Sequence, residues 1–152
     1  GASAAKENFQ GEVADAKIQG ERVLLLWPQT FMNASGASVV AARDFYKLSS
    51  AELLVVCDDF NLPLGKLRIR TQGSSGGQKG LEDIIRRLGG DEVPRLRIGI
   101  GQPPDGWDPA DYVLSKFNNN ELPEIDAAIW RAADAVAIWV CDGAEACMNQ
   151  YN

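Results

Sequence analysis

The chain has 152 residues, 45% of them hydrophobic and 24% charged, which is one domain's worth with a sizeable core and not a disordered composition. A formal charge of −6 and a pI near 4.6 exclude a generally basic nucleic-acid coat. The chain contains no histidine. A Ser-His-Asp or Cys-His triad, a histidine general base and a His-rich metal site are therefore excluded from these residues.

The three cysteines, Cys57, Cys141 and Cys147, form no C-x-x-C pair and fit neither a disulfide framework nor a zinc site. They read as reduced core thiols. The opening Gly1-Ala2-Ser3-Ala4-Ala5 has no basic n-region or long apolar run, so no signal peptide is expected. No stretch approaches the roughly 20 apolar residues that span a bilayer. The expectation is a cytoplasmic protein without membrane association.

In chain order, Asn8 to Ile18 alternates loosely and leads through Gln19-Gly20-Glu21 into Arg22-Val23-Leu24-Leu25-Leu26-Trp27. This pattern predicts a β-hairpin whose second strand is covered on both faces. Helical spacing predicts a helix from about Ala34 to Lys47. Glu52 to Cys57 reads as a buried strand that delivers Asp58-Asp59 at its end. Asn61 to Gly65 is a turn, and Lys66 to Arg70 is a strand with one basic face. Gly73 to Gly77 is a loop; Leu81, Ile84, Ile85 and Leu88 then mark a short helix ending at Gly89-Gly90. Arg95 to Ile100 is a strand, Gln102 to Asp111 a Pro-rich loop, and Leu122 to Val140 a long helix with an apolar stripe. Helices alternating with buried strands predict a single-domain, three-layer α/β/α fold with a twisted mixed β-sheet.

Charge is placed unevenly. The stretch from Lys66 to Arg97 holds eight basic and four acidic residues, a local net of +4, leaving −10 on the rest of the chain. One basic segment on an acidic body suits a local grip on a polyanion, although solvated helix faces and strand-edge arginines would give the same count. Gly73 to Gly80 opens a helix, where backbone N–H groups and the helix start attract anions. It lacks the G-K-[ST] of a P-loop, and a purely structural turn remains open. Asp58 and Asp59 stand at a strand end, where a carboxylate can orient a base or activate water, or can cap the following turn. Asn33 can N-cap a helix or offer its amide to a ligand.

These features also fall in a known order. Pro28 to Gly36 resembles the P-Q-T-F-M-N-x-S-G signature of bacterial-type peptidyl-tRNA hydrolases. Asp58-Asp59-Phe60-Asn61-Leu62-Pro63-Leu64-Gly65 looks like that family's D-x-x-[DN]-L-P-x-G segment. Gly73 to Leu81 is similar to its G-S-x-G-G-H-N-G-L loop, Arg95 to Gly101 to its R-L-R-I-G-I-G strand, and Ala146-Cys147-Met148-Asn149 to its A-M-N ending. The resemblance runs from about Phe9 to the carboxyl terminus.

It implies hydrolysis, without metal or cofactor, of the ester joining a nascent peptide to tRNA. The implied partner is peptidyl-tRNA, contacted at its acceptor stem and 3′ end by a monomeric enzyme. Asn33 would hold the peptidyl-adenosine end or the water, and Asp58 would orient the catalytic base; Phe31 would line the same pocket. Arg70 and Arg97 would grip acceptor phosphates, with Gln78 and Lys79 at the loop positions that also meet tRNA. Two departures qualify this. The family opens with a buried strand, a G-N-P-G loop and R-H-N, whose histidine is the general base, and none of these is found here. The chain thus reads as lacking that amino-terminal segment, which would impair catalysis; a non-catalytic RNA-binding relative is the alternative. Gln78-Lys79 also replaces His-Asn, keeping one amide and exchanging the other for a cation.

Overall fold

The computed structural model describes residues 1–152. The fold class is α/β, with one antiparallel sheet, one mixed sheet and helices between their strands. By its internal contacts the chain divides into two compact units, Gly1–Val55 with Thr71–Pro94 and Val56–Arg70 with Arg95–Asn152.

The first unit opens with three antiparallel strands in the order β1 (Lys6–Asn8), β2 (Gly11–Ile18) and β3 (Glu21–Pro28). Both connections are two-residue turns with positive φ throughout, Phe9-Gln10 and Gln19-Gly20. Such turns match the natural twist of the paired strands. Phe9 adopts this left-handed conformation although it carries a side chain. Its ring packs on Phe45 and Tyr46, with centroids 5.5 and 5.9 Å away, and Gln10 is tied down by the Gln29 N–H to its carbonyl at 2.9 Å. The expectation that the Arg22–Trp27 run is covered on both faces is corrected. β3 ends the order of its sheet, and one face leaves Leu25 and Trp27 exposed.

A 3-10 turn over Met32–Ala34 leads into α1 (Ser35–Tyr46), which packs on α2 (Lys79–Leu88). Gly36 permits the close approach: a Cβ there would stand 2.7 Å from the Asp83 carbonyl oxygen and from Arg87 Cδ. Ala42, Leu81, Ile84 and Val93 form the core of this unit.

The second unit carries the mixed sheet, in the order β4 (Val55–Asp59), β6 (Arg95–Gly99), β5 (Leu67–Arg70). The strand expected from Glu52 begins only at Val55. Ser49 and Glu52 form a reciprocal capping box that winds Ser50–Glu52 into a 3-10 turn instead. β5 and β6 are antiparallel, with Leu67 facing Ile98 and Ile69 facing Leu96. On the other side of β5, the Asn152 side chain accepts from the Ile69 N–H at 2.7 Å and donates to its carbonyl at 2.9 Å, standing in for a further strand.

The long helix α4 (Leu122–Asp142) buries Ile125, Ala128, Ala132 and Ala135. The loop expected over Gln102–Asp111 contains the start of α3 (Pro109–Val113), because Asp108 caps the Ala110 N–H at 2.7 Å and Pro109 suits the first helical position. A last helix, α5 (Ala144–Tyr151), follows the bend at Gly143. No helix is long and apolar enough to cross a membrane.

Candidate functional site

In the first unit, β3 ends at Pro28 and the chain turns outward, leaving Phe31 87% exposed and Asn33 exposed on the 3-10 turn. Asn33 makes no capping bond. The residue before α1 is Ala34, and no side chain caps that helix. The possibility that Asn33 serves as a helix cap is thereby removed, and its amide faces solvent. The turn is fixed from beneath, since Ser35 Oγ donates to the Met32 carbonyl at 2.8 Å and the Gly36 N–H donates to Asp83 Oδ2 at 2.8 Å.

The Gly-rich loop is brought against this turn. Gln78 Oε1 accepts from the Leu81 N–H at 2.7 Å, capping α2, while Gln78 Nε2 lies 3.7 Å from Met32 Sδ. A Cβ on Gly80 would reach Met32 Sδ, Gln78 Oε1 and Ser35 Oγ within 3.2 Å, so glycine leaves these three side chains room against the start of α2. Gln78 is therefore built into the loop through its side chain. Lys79 is exposed and reaches Glu82 at 3.5 Å. Phe31, Asn33, Gln78 and Lys79 thus share one surface of the first unit.

The second unit holds the other predicted residues. Asp58 and Asp59 alternate along β4 and point to opposite faces. Asp59 is buried: its Oδ2 accepts from Arg97 Nη1 at 2.9 Å and its Oδ1 accepts from the Asn61 N–H at 2.8 Å. Asp58 is half-buried. Cys57 faces the same side as Asp59. Burial first, and then the charges of Asp58 and Asp59, push its thiol up to about 12 against the opposing pull of Arg97 and Arg95. It is no nucleophile at neutral pH.

The basic face expected on Lys66 to Arg70 is there, and β6 adds to it in register, with Arg68 opposite Arg97 and Arg70 opposite Arg95, but the cations are only partly available. Arg95 is 2% exposed. Arg97 is engaged with Asp59, and its Nε is buried without a hydrogen-bond partner. Arg70 is exposed. The Arg97 side chain thus reaches solvent only in part, with a carboxylate one strand away as its ion partner. Sequence reasoning also passed over Asp83, whose role was signalled by Arg86 and Arg87 at i+3 and i+4. No group of three or more metal-ligating side chains gathers in the chain.

The profile of the family described as "Peptidyl-tRNA hydrolase" matches residues 1–152. The chain belongs to this family. It is 56% identical over 144 residues to a peptidyl-tRNA hydrolase of Rhodopirellula baltica, covering 95% of this chain and 76% of that protein. Identity to the peptidyl-tRNA hydrolase of Desulfitobacterium hafniense is 44% over 147 residues, covering 97% and 80%. The crystal structure of peptidyl-tRNA hydrolase from Acinetobacter baumannii is similar with a TM-score of 0.91 and 36% identity, over 98% of this chain and 76% of that one. The solved family fold thus extends over nearly every element described above.

Proposed function

We propose that the chain binds the 3′ end of peptidyl-tRNA and contributes Asn33 and Asp58 to the hydrolysis of its ester. Family membership supports the reaction class, and the uncapped, outward-facing Asn33 supports the site. An amide that neither caps its helix nor packs inward is available to a substrate carbonyl, a ribose hydroxyl or a water. Phe31 beside it offers an aromatic face to the terminal adenine, and base–aromatic stacking contributes about 1–3 kcal/mol per base. Lys79 and Arg70 are the exposed cations for acceptor phosphates. Gln78 shapes the loop through its backbone cap, and Arg97 acts through Asp59.

Asp58, half-buried at the end of β4, is the second carboxylate of the pair. It serves to orient and stabilise a protonated base during attack by water on the ester carbonyl. With no histidine among these 152 residues, that base lies in no residue described here. The family's R-H-N histidine would fill the role. A cytoplasmic, monomeric enzyme needing no metal completes the proposal.

Binding tests the reading directly. The chain is titrated with an acyl-aminoacyl-tRNA whose ester is replaced by an amide. Saturable binding that weakens as salt rises is expected, because phosphate contacts release counterions. Binding insensitive to salt, or equal binding of a tRNA lacking the acyl-aminoacyl group, would overturn it.

A further inference from the structure

The long helix α4 has two apolar faces, and only one is used. Ile125, Ala128, Ala132 and Ala135 are buried. At helical spacing on the adjoining side stand Leu122, Ile129, Trp130 and Ala133, all exposed, with Ile129 at 53% and Trp130 at 76%. Neighbouring Ile and Trp on one exposed helix face form an unusual surface for a side-chain pair that gains by leaving water. Trp130 is flanked one turn to either side by Asp126 and Asp134, both exposed. From Glu121 to the end of the chain there are six carboxylates and a single basic residue. That residue, Arg131, donates to the Gly65 carbonyl at 3.1 Å.

We infer that this face of α4 is a docking surface for a basic amphipathic helix of a protein partner. The charge pattern selects that occupant. Asp126 and Asp134, with no cation on this face, disfavour RNA and anionic membranes, so the apolar stripe serves neither. A partner helix lying along Leu122, Ile129 and Ala133 would set one Lys or Arg on Asp126, which stands within that row, and another beside Asp134. The same cations could stand over the indole face of Trp130, where a ring attracts positive charge. Helix-in-groove recognition of this kind uses apolar anchors one turn apart. The surface lies on a helix that carries none of the substrate-binding residues proposed above.

The test uses the full chain and a fluorescently labelled helical peptide of Leu and Lys, about 18 residues long so as to span five turns. A peptide of the same pattern with Glu for Lys is the control. Anisotropy should show saturable binding of the basic peptide and none of the acidic one. Trp130→Ala should weaken binding by at least about tenfold, as for an aromatic anchor. The double variant Asp126→Asn, Asp134→Asn should flatten the salt dependence. All these positions are exposed, so an unchanged thermal melt checks that the variants fold. Equal affinity of Trp130→Ala, or equal binding of the acidic peptide, would overturn the proposal. So would concentration-dependent dimers in sedimentation that Trp130→Ala abolishes, because the occupant would then be a second copy of the chain.

Discussion

Arg97 Nη1 lies 2.9 Å from Asp59 Oδ2, joining β6 to the end of β4 through a pair in which both side chains are largely buried. The carboxylate also holds the Asn61 N–H, so the turn after β4 and the basic strand depend on one another. Arg97→Gln leaves a buried carboxylate with its charge uncompensated. Breaking such a pair commonly costs 3–5 kcal/mol when fully buried. With Arg97 partly open to solvent, a loss of about 2 kcal/mol is expected, read as a lower urea midpoint at unchanged slope. A loss of tRNA affinity at unchanged stability would instead place Arg97 on the phosphates.

Asp83 supplies a pH-dependent link between the two helices of the first unit. Burial pushes its carboxyl pKa up, but hydrogen bonds from Arg86, the Gly36 N–H and Arg87 outweigh that and hold it below the ordinary carboxylate value. A carboxylate depressed in the folded state adds stability that is present above its unfolded pKa of about 3.9 and lost as pH falls through the lower folded value. Asp83→Asn should therefore destabilise the chain by about 2 kcal/mol near neutral pH. The gap from the unsubstituted chain should close below about pH 4. A gap that is constant with pH would show that charge at Asp83 is not involved.

Gly36 and Gly80 make the same kind of close contact with different expected costs. A Cβ on Gly36 meets the Asp83 backbone carbonyl, which cannot move without shifting α2. A Cβ on Gly80 first meets Met32 Sδ, on an exposed and flexible side chain. Gly36→Ala should cost about 1–3 kcal/mol, as overpacking does, and Gly80→Ala clearly less. Parallel chemical denaturation of the two variants gives the comparison. Reversal of the order would mean that Met32 is fixed more firmly than its exposure suggests.

Asn33 makes no structural bond that its substitution would break. Asn33→Ala should leave the melting midpoint within about 0.5 kcal/mol of the parent. In a catalytically complete form it should lower kcat/KM by about 10²-fold, the order seen when one positioned hydrogen-bond donor is removed. A large loss of stability would return Asn33 to a role in the helix start.

Much of this was legible in the sequence because the signals were local. Gln19-Gly20 marked the hairpin turn, and apolar spacing marked α1, α2 and α4. The order of motifs from Pro28 to Asn149 identified the family. What escaped depended on contacts distant in sequence. The Gly36–Asp83 tether spans 47 positions, and the Asn152 amide edges a strand 83 positions away. The Arg97–Asp59 pair likewise joins positions 38 apart. The 3-10 turn at Ser50–Glu52 escaped for another reason: the hydrophobic run from Leu53 suggests a strand from Glu52, whereas the Ser49–Glu52 capping box delays its start to Val55. Asn33 and Asp58 stood out as candidates through the motifs alone, while the structural use of Gln78 as a helix cap required the loop's geometry.

The central proposal is that these residues bind peptidyl-tRNA and that a histidine outside them, of the family's R-H-N kind, acts as the general base. It is tested by single-turnover hydrolysis of N-acyl-aminoacyl-tRNA. The 152-residue chain is compared with the same chain bearing an amino-terminal extension that carries the family's G-N-P-G and R-H-N segment. The account predicts similar substrate affinity and a rate about 10²–10⁴-fold higher for the extended chain, the usual contribution of a positioned base. It also predicts that Asp58→Asn removes most of that gain. Equal rates for the two chains would contradict it.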